Sequence, residues 1–280
     1  MNNERTLQQA IDRMENKGGA GASLRKHLAA AGIGTWEDIS RASLYDLRDH
    51  LAESVSPGTA RTVMARMKAL LNRYSDSLSL PSDWQKILTG KNVRPMKIYL
   101  SESDLAKIEK GEGVHTVRQQ YVLNVFLVCA YTGLRVSDAV QLTRENISGG
   151  NLHYIAKKTK KAGMIPLKAG LDKRIEWISA HADIRVSLPS YNEAIRQICR
   201  NAGIDEEVVV LKAGKEQRGP KWKYVSSHTA RISTASCLNK RGVPIGDISK
   251  ILQHSGTAMT ERYIIRDRVE LSQKAMQFFT

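Results

Sequence analysis

His228-Thr229-Ala230-Arg231, Leu252-Gln253-His254-Ser255-Gly256-Thr257 and Glu261-Arg262-Tyr263 follow one another near the end of the chain, with Arg231 23 residues before His254 and His254 9 before Tyr263. Working outward, an isolated arginine closes the turn Tyr131-Thr132-Gly133-Leu134-Arg135, and a lysine-rich turn follows with Lys157, Lys158, Lys160 and Lys161. Two arginines, a lysine, two histidines and a late tyrosine can hold a phosphodiester and attack it without a metal ion. His228 and Arg231 stand one helical turn apart, so a helix projects both from one face.

Periodicity around these motifs predicts a mainly α protein with a small β element. Asn151 to Leu167, with LHYIA and MIPL on either side of the lysine turn, reads as a β-hairpin. A second short β pair is expected at Val208–Leu211 and Trp222–Val225. Helices are expected at Val117–Tyr131, Leu171–His181, Tyr191–Ala202, Thr229–Lys240 and Ile245–Leu252. Ser101 and Asp104 are spaced as a helix cap ahead of Leu105 and Ile108. Residues 1 to about 75 read as short helices: Leu7, Ile11 and Met14 form one stripe, Gly18 and Gly19 break it, and Leu24 and Leu28 start the next. Ser43 precedes Leu44, Leu47 and Leu51, and Ser56-Pro57 starts a longer helix with Val63, Met67, Leu70 and Leu71 on one face. Arg61, Arg66, Lys68 and Arg73 occupy its other faces, either as a solvated surface or against DNA phosphates. The serines and prolines after Tyr74 suggest a division into a helical domain over 1–80, a linker over 81–96 and a second domain over 97–280.

The 280 residues carry 43 Lys and Arg against 28 Asp and Glu, a net charge of +15. Both parts are basic, with 14 basic and 10 acidic side chains through Pro95 and 29 and 18 after it. Such a balance favours a polyanionic partner bound with steep salt dependence, although ribosomal, membrane-surface and RNA-binding proteins share it. Cys129, Cys199 and Cys237 are odd in number and far apart, which argues against a disulfide framework or zinc site and for a reducing cytosol. The N-terminus lacks the apolar core of a signal peptide, and Tyr121–Leu134 is too short to span a bilayer, so no membrane partner is expected. No GxxxxGK loop and no Asp/Glu cluster of magnesium type is present, so the expected chemistry uses no ATP, metal or other cofactor.

TGLRVSD, KKTKKAGMIPL, HTAR and LQHSGTAMTERY, in this order and spacing, resemble the tyrosine recombinase (phage integrase) family over residues 97 to 270. The resemblance implies a helical core-binding DNA-binding domain followed by a catalytic domain that cleaves DNA through a 3′-phosphotyrosyl intermediate. Tyr263 is then the nucleophile, Arg135 and Arg231 grip the phosphate, and His228 serves as acid or base. His254 bonds a phosphate oxygen and braces the tyrosine. Lys158, immediately before Thr159, protonates the departing 5′-oxygen, with Lys157 and Lys160 as stand-ins; Asp138 buttresses the site. Lys157, Lys160 and Lys161 are also candidates for phosphate contact, as are Arg61, Arg66 and Lys68.

The same resemblance implies a homotetramer on two double-stranded DNA sites, passing through a Holliday junction, with an accessory directionality factor as an open partner. Phage or mobile-element integration and excision, or Xer-like resolution, are the expected roles, in the cytoplasm on nucleoid or host-cell DNA. A non-catalytic DNA-binding regulator and a topoisomerase IB-like or telomere-resolvase-like enzyme are the alternatives. The helical bundle begins near residue 1, leaving little room for an arm-binding domain. The tail after Tyr263, anchored by Ile264, Leu271, Met276, Phe278 and Phe279, either folds back on its own domain or docks on a neighbouring protomer.

Overall fold

The computed structural model describes residues 6–15, 20–90, 96–212 and 214–265. The chain divides into two units, one running to Met96 and including Leu211–Gln217, the other comprising Lys97–Val210 and the chain from Arg218.

In the first unit, α1 (Leu7–Glu15), α2 (Ala20–Ala30), α3 (Arg41–Ser54), α4 (Pro57–Tyr74) and the single turn α5 (Trp84–Ile87) enclose one aliphatic core. Ser40 caps α3: its side chain accepts the Ser43 N–H while Ser43 accepts the Ser40 N–H, so the helix starts three residues ahead of the expected Ser43. Ser56 caps α4 by accepting the Thr59 N–H, and Pro57 fits the first turn, where its missing N–H costs no bond. Val63, Met67, Leu70 and Leu71 are buried with Leu24, Leu28, Leu44, Leu47 and Leu51. Trp84, Ile87 and Leu88 join this core. The opening of the segment expected as a linker is therefore packed, because burial of three large apolar side chains outweighs its proline- and serine-rich composition. Residues 91–95 of that segment lie outside the described residues, as do Gly18 and Gly19.

The second unit is built round α7 (Val117–Thr132), preceded by α6 (Glu102–Glu109), with the Ser101 and Asp104 side chains forming the expected capping box. Every residue of α7 from Tyr121 to Ala130 is buried, as suits a helix clothed on all sides. After the single turn α8 (Val136–Ala139) come β1 (Ile147–Ser148), β2 (Asn151–Ile155) and β3 (Ala162–Pro166), an antiparallel sheet in the order β1-β2-β3 with Leu152 opposite Ile165 and Tyr154 opposite Gly163. Then follow α9 (Leu171–Ala180), α10 (Leu188–Asn201), the strands β4 (Glu207–Lys212) and β5 (Lys215–Pro220), whose adjoining ends over Leu211–Gln217 belong to the first unit, α11 (Ser227–Lys240), α12 (Ile245–Ile251) and α13 (Thr257–Glu261). Helices α9, α10 and α11 pack on α7. The class is mainly α with small β elements, as expected.

Two elements depart from the sequence reading. The second arm of the late β pair is Lys215–Pro220, whereas Trp222 belongs to a 3-10 turn over Lys221–Tyr224. The arm is polar because it is largely exposed, so no alternation marks it; Trp222 and Tyr224 are apolar because they pack on the unit's core. Helix α10 starts three residues before the expected Tyr191, capped by Ser187, whose side chain accepts the Ser190 N–H, with Pro189 in its first turn.

Candidate active site

The turn after α7 depends on one glycine. Gly133 adopts φ +73°, which L side chains avoid, and ends the helix with its N–H on the Cys129 carbonyl. A Cβ on it would meet Leu252 at 2.6 Å. The chain then becomes extended at Arg135, the N-cap residue of α8, which is half-buried and 4.0 Å from the carboxylate of Asp138. Asp138 is buried and accepts the Lys157 N–H at 3.0 Å, tying α8 to the base of the lysine turn.

Helix α11 presents the next two groups. Ser226 and Thr229 form its capping box, and Thr234 Oγ1 donates toward the carbonyl of Ala130 at 2.8 Å, fastening the helix to the end of α7. Arg231 is 4% exposed and donates from Nη1 to the Gly133 carbonyl and from Nη2 to the Leu252 carbonyl. One guanidinium thus joins the ends of α7 and α12. Its Nε is buried and meets no hydrogen-bond acceptor among the described residues.

His254 follows Gln253, whose φ of +50° is unusual for a side-chain-bearing residue. Gln253 binds the β2–β3 hairpin, accepting from Thr159 Oγ1 and donating to the Lys161 carbonyl, both at 3.4 Å. The hairpin strand passes close enough there that a Cβ on Gly163 would lie 2.6 Å from the Tyr154 ring. His254 Nδ1 hydrogen-bonds with the buried Thr260 Oγ1 at 2.9 Å, leaving Nε2 buried and without a partner among the described residues.

Tyr263 closes the cluster. Ser236 Oγ donates to its carbonyl at 3.3 Å and accepts the Ile265 N–H at 3.0 Å, and Tyr263 and Ile264 pack with Ala235, Ile248 and Leu252 of the same chain. The phenol ring lies 4.7 Å from the His254 ring, 5.0 Å edge-on from His228 and 5.8 Å from the Arg231 guanidinium carbon. Lys97 Nζ, which no motif marks, is 5.3 Å from the same ring.

Electrostatics follow from this crowding of cations. His228 keeps an exposed edge, but desolvation on its other sides, then the charges of Lys97, Arg231 and Arg135, bring its pKa down to about 4. Burial, then Arg231, Arg135 and His228, hold His254 at about 4 as well. Burial and the neighbouring Arg135 also lower Arg231 below its ordinary value. Both imidazoles are therefore neutral at neutral pH and able to accept a proton or a hydrogen bond. The cluster is a positively charged cradle with two buried nitrogens that have no partner among the described residues.

Lys158 is not gathered into this cluster. The turn closes through the Lys160 N–H on the Ala156 carbonyl at 2.8 Å, with Lys160 at φ +56°, and Lys157, Lys158, Lys160 and Lys161 are all exposed. In the first unit Lys68 donates to Thr89 Oγ1 at 2.7 Å, Arg61 is exposed and Arg66 is half-buried.

The phage integrase family model matches residues 107–268, which holds α7, the hairpin, α11 and Tyr263. The chain belongs to the phage integrase, or tyrosine recombinase, family. Within that family it is 26% identical over 208 residues to a putative integrase of Pseudomonas phage Pf1, a match covering 72% of this chain and 56% of that relative. It is likewise 26% identical over 254 residues to the tyrosine recombinase XerD of Yersinia pestis, covering 81% of this chain and 78% of XerD. The fold is similar to that of lambda integrase, solved as a dimer bound to a COC′ core site (TM-score 0.64, 15% identity, 94% of this chain and 97% of that one). It is also similar to that of the Tn1549 transposon integrase in complex with transposon right-end DNA (TM-score 0.69, 12% identity, 98% and 99%). The candidate site is assembled near the ends of α7, α11, α12 and α13. Among the described residues no helix is long and apolar enough to cross a membrane.

Proposed function

We propose that this chain is a site-specific DNA recombinase that cleaves and rejoins strands through Tyr263. The observation that carries the reading is the pair of buried nitrogens without a hydrogen-bond partner among the described residues, Arg231 Nε and His254 Nε2, on two groups that flank the Tyr263 ring. Arg231 Nε is a donor, and His254 Nε2 is one in the tautomer whose Nδ1 accepts from Thr260 Oγ1; buried donors without partners cost free energy, so the pair is complementary to an anion.

A phosphodiester meets that requirement. The Tyr263 oxygen attacks phosphorus, neutral His228 accepts the phenolic proton, and the 5′-oxygen leaves with the electron pair of its P–O bond and takes up a proton. Arg135 and Arg231 stabilise the charge that builds on the non-bridging oxygens, which preorganised donors do without further reorganisation. His254, oriented by Thr260, binds one of those oxygens. Lys158 supplies the leaving-group proton once DNA brings the exposed turn over the site. The phosphotyrosyl bond conserves the energy of the phosphodiester, so a 5′-hydroxyl from a second duplex can reverse the step, and no ATP or metal ion is needed. The first unit acts as the core-binding domain, with Arg61, Arg66 and Lys68 near the backbone, and two paired sites assemble a homotetramer that resolves a Holliday junction. Phage-type integration or Xer-like resolution are its roles, aided by an accessory directionality factor.

Covalent trapping tests the reading. Incubated with a nicked duplex that carries the DNA flanking its own coding sequence, the wild-type chain forms a DNA-linked band on a denaturing gel and Tyr263→Phe does not. A wild-type chain that binds this DNA specifically yet forms no band overturns strand cleavage in favour of a regulator.

A further inference from the structure

Lys97 lies in the cradle without belonging to any of its motifs. Its segment is held by α11, the helix that carries His228 and Arg231: Ile98 and Leu100 are buried, and the Leu100 N–H donates to Ser233 Oγ at 2.8 Å. The Cys237 thiol approaches the Leu100 carbonyl at 3.6 Å on the same helix. The half-buried ammonium is 5.3 Å from the Tyr263 ring centroid, within the range of a cation–π contact.

The surroundings of this amine are cationic. Burial and Arg262 lower its pKa, and its own charge contributes to the depression of His228. Among the described residues no carboxylate forms an ion pair with it, in contrast to Lys221, which is buried against Asp104 at 2.7 Å and Glu206 at 2.9 Å. A half-buried ammonium beside another cation, with no carboxylate partner among the described residues, is costly unless an anion arrives.

We propose that Lys97 is a positioning residue for the tyrosyl step, clamping the Tyr263 ring and countering negative charge on the phenolic oxygen and the attached phosphate. The proposal rests on the recombinase reading. In cleavage the Tyr263 oxygen bonds to phosphorus, the bond from phosphorus to the 5′-oxygen breaks and its electron pair leaves with that oxygen. In resealing the same exchange runs backwards and the electron pair returns to the phenolic oxygen. Lys97 stays protonated throughout; it acts through its charge and its contact with the ring.

Single-turnover adduct formation by the full-length protein on the flanking-DNA duplex is the test. Lys97→Met keeps the length of the side chain but loses the charge, and is expected to slow adduct formation by about 10- to 100-fold, with specific binding in a gel shift within about twofold of wild type. Lys97→Arg is expected to recover most of the rate and to carry the alkaline limb of the pH–rate profile higher, because a guanidinium holds its proton longer than this amine. Equal rates for wild type and Lys97→Met overturn the proposal while leaving the recombinase reading intact. So does Lys97→Arg being as slow as Lys97→Met with matched losses of thermal stability, which marks a structural role. A wild-type chain that forms no adduct on DNA it binds specifically overturns both.

Discussion

The two units handle buried polarity in opposite ways. Among the described buried residues of the first unit only His27 is polar, and the rest of its core is aliphatic, methionine and Trp84. In the second unit, α11 alone buries Thr229, Arg231, Ser233, Thr234 and Ser236. Each of those side chains has work in the fold or the site: Thr229 caps α11, Thr234 seals the end of α7, Ser233 pins the segment leading from Lys97, Ser236 seats Tyr263 and Arg231 bridges two helix ends. An apolar core is satisfied by volume, whereas a buried polar array is satisfied only by directed bonds. Changes in the first unit's core are therefore expected to act on stability alone, and changes along α11 on stability and the candidate site together.

Substitutions can break or sharpen that contrast. The largest effect is Tyr263→Phe, expected to abolish the covalent adduct altogether while thermal unfolding stays close to wild type, since the ring packing is retained; a denaturing gel and a melting curve check it. Arg231→Ala is expected to lose at least about 100-fold in adduct formation. It should also destabilise the chain, by about 1–3 kcal/mol for each stranded carbonyl, as seen in urea unfolding. Stability and chemistry are inseparable at that residue. Leu47→Ala, in the fully buried core of the first unit, is expected to cost about 2–5 kcal/mol yet leave adduct formation per specifically bound molecule unchanged. If the rate falls with it, the two units are not energetically separate.

The smallest effect is on pH. His228 and His254 accept protons only near pH 4 when folded, and the unfolded chain accepts them near pH 6.5. The unfolded state then binds more protons between those limits, so stability is complete above about pH 6.5 and declines as pH falls toward 4. Urea midpoints at pH 7 and pH 5 should differ less in a His228→Asn, His254→Asn double variant than in wild type. His27 of the first unit, lowered by burial and then by His50, adds a decline of the same sign that the double variant leaves in place.

The helices were legible where a stripe and a cap coincide: Ser56-Pro57 with Val63 and Met67, and Ser101 with Asp104 ahead of Leu105. Polar strand β5 and the packed turn at Trp84 were not, because exposure removes alternation from the one and composition hides the burial of the other. Among site residues, the order of Arg135, His228, Arg231, His254 and Tyr263 identified the candidates, and the fold brings all five together. Lys158 stays at an exposed turn, and the tail beyond Ile265, expected either to fold back or to dock on a neighbour, lies outside the described residues.

By itself the sequence determined the family, the class of fold and the chemical identity of the cradle, since those reside in residue types and spacing along the chain. Only the tertiary structure decided that Lys97 shares the Tyr263 ring, that Thr260 orients His254 and that Gln253 fastens the hairpin. Lys97 and Tyr263 are 166 positions apart, and Gln253 and Thr159 are 94 apart. Contacts across such distances depend on how helices close against α7, and no local pattern of hydrophobicity or charge encodes which distant side chain will be waiting there.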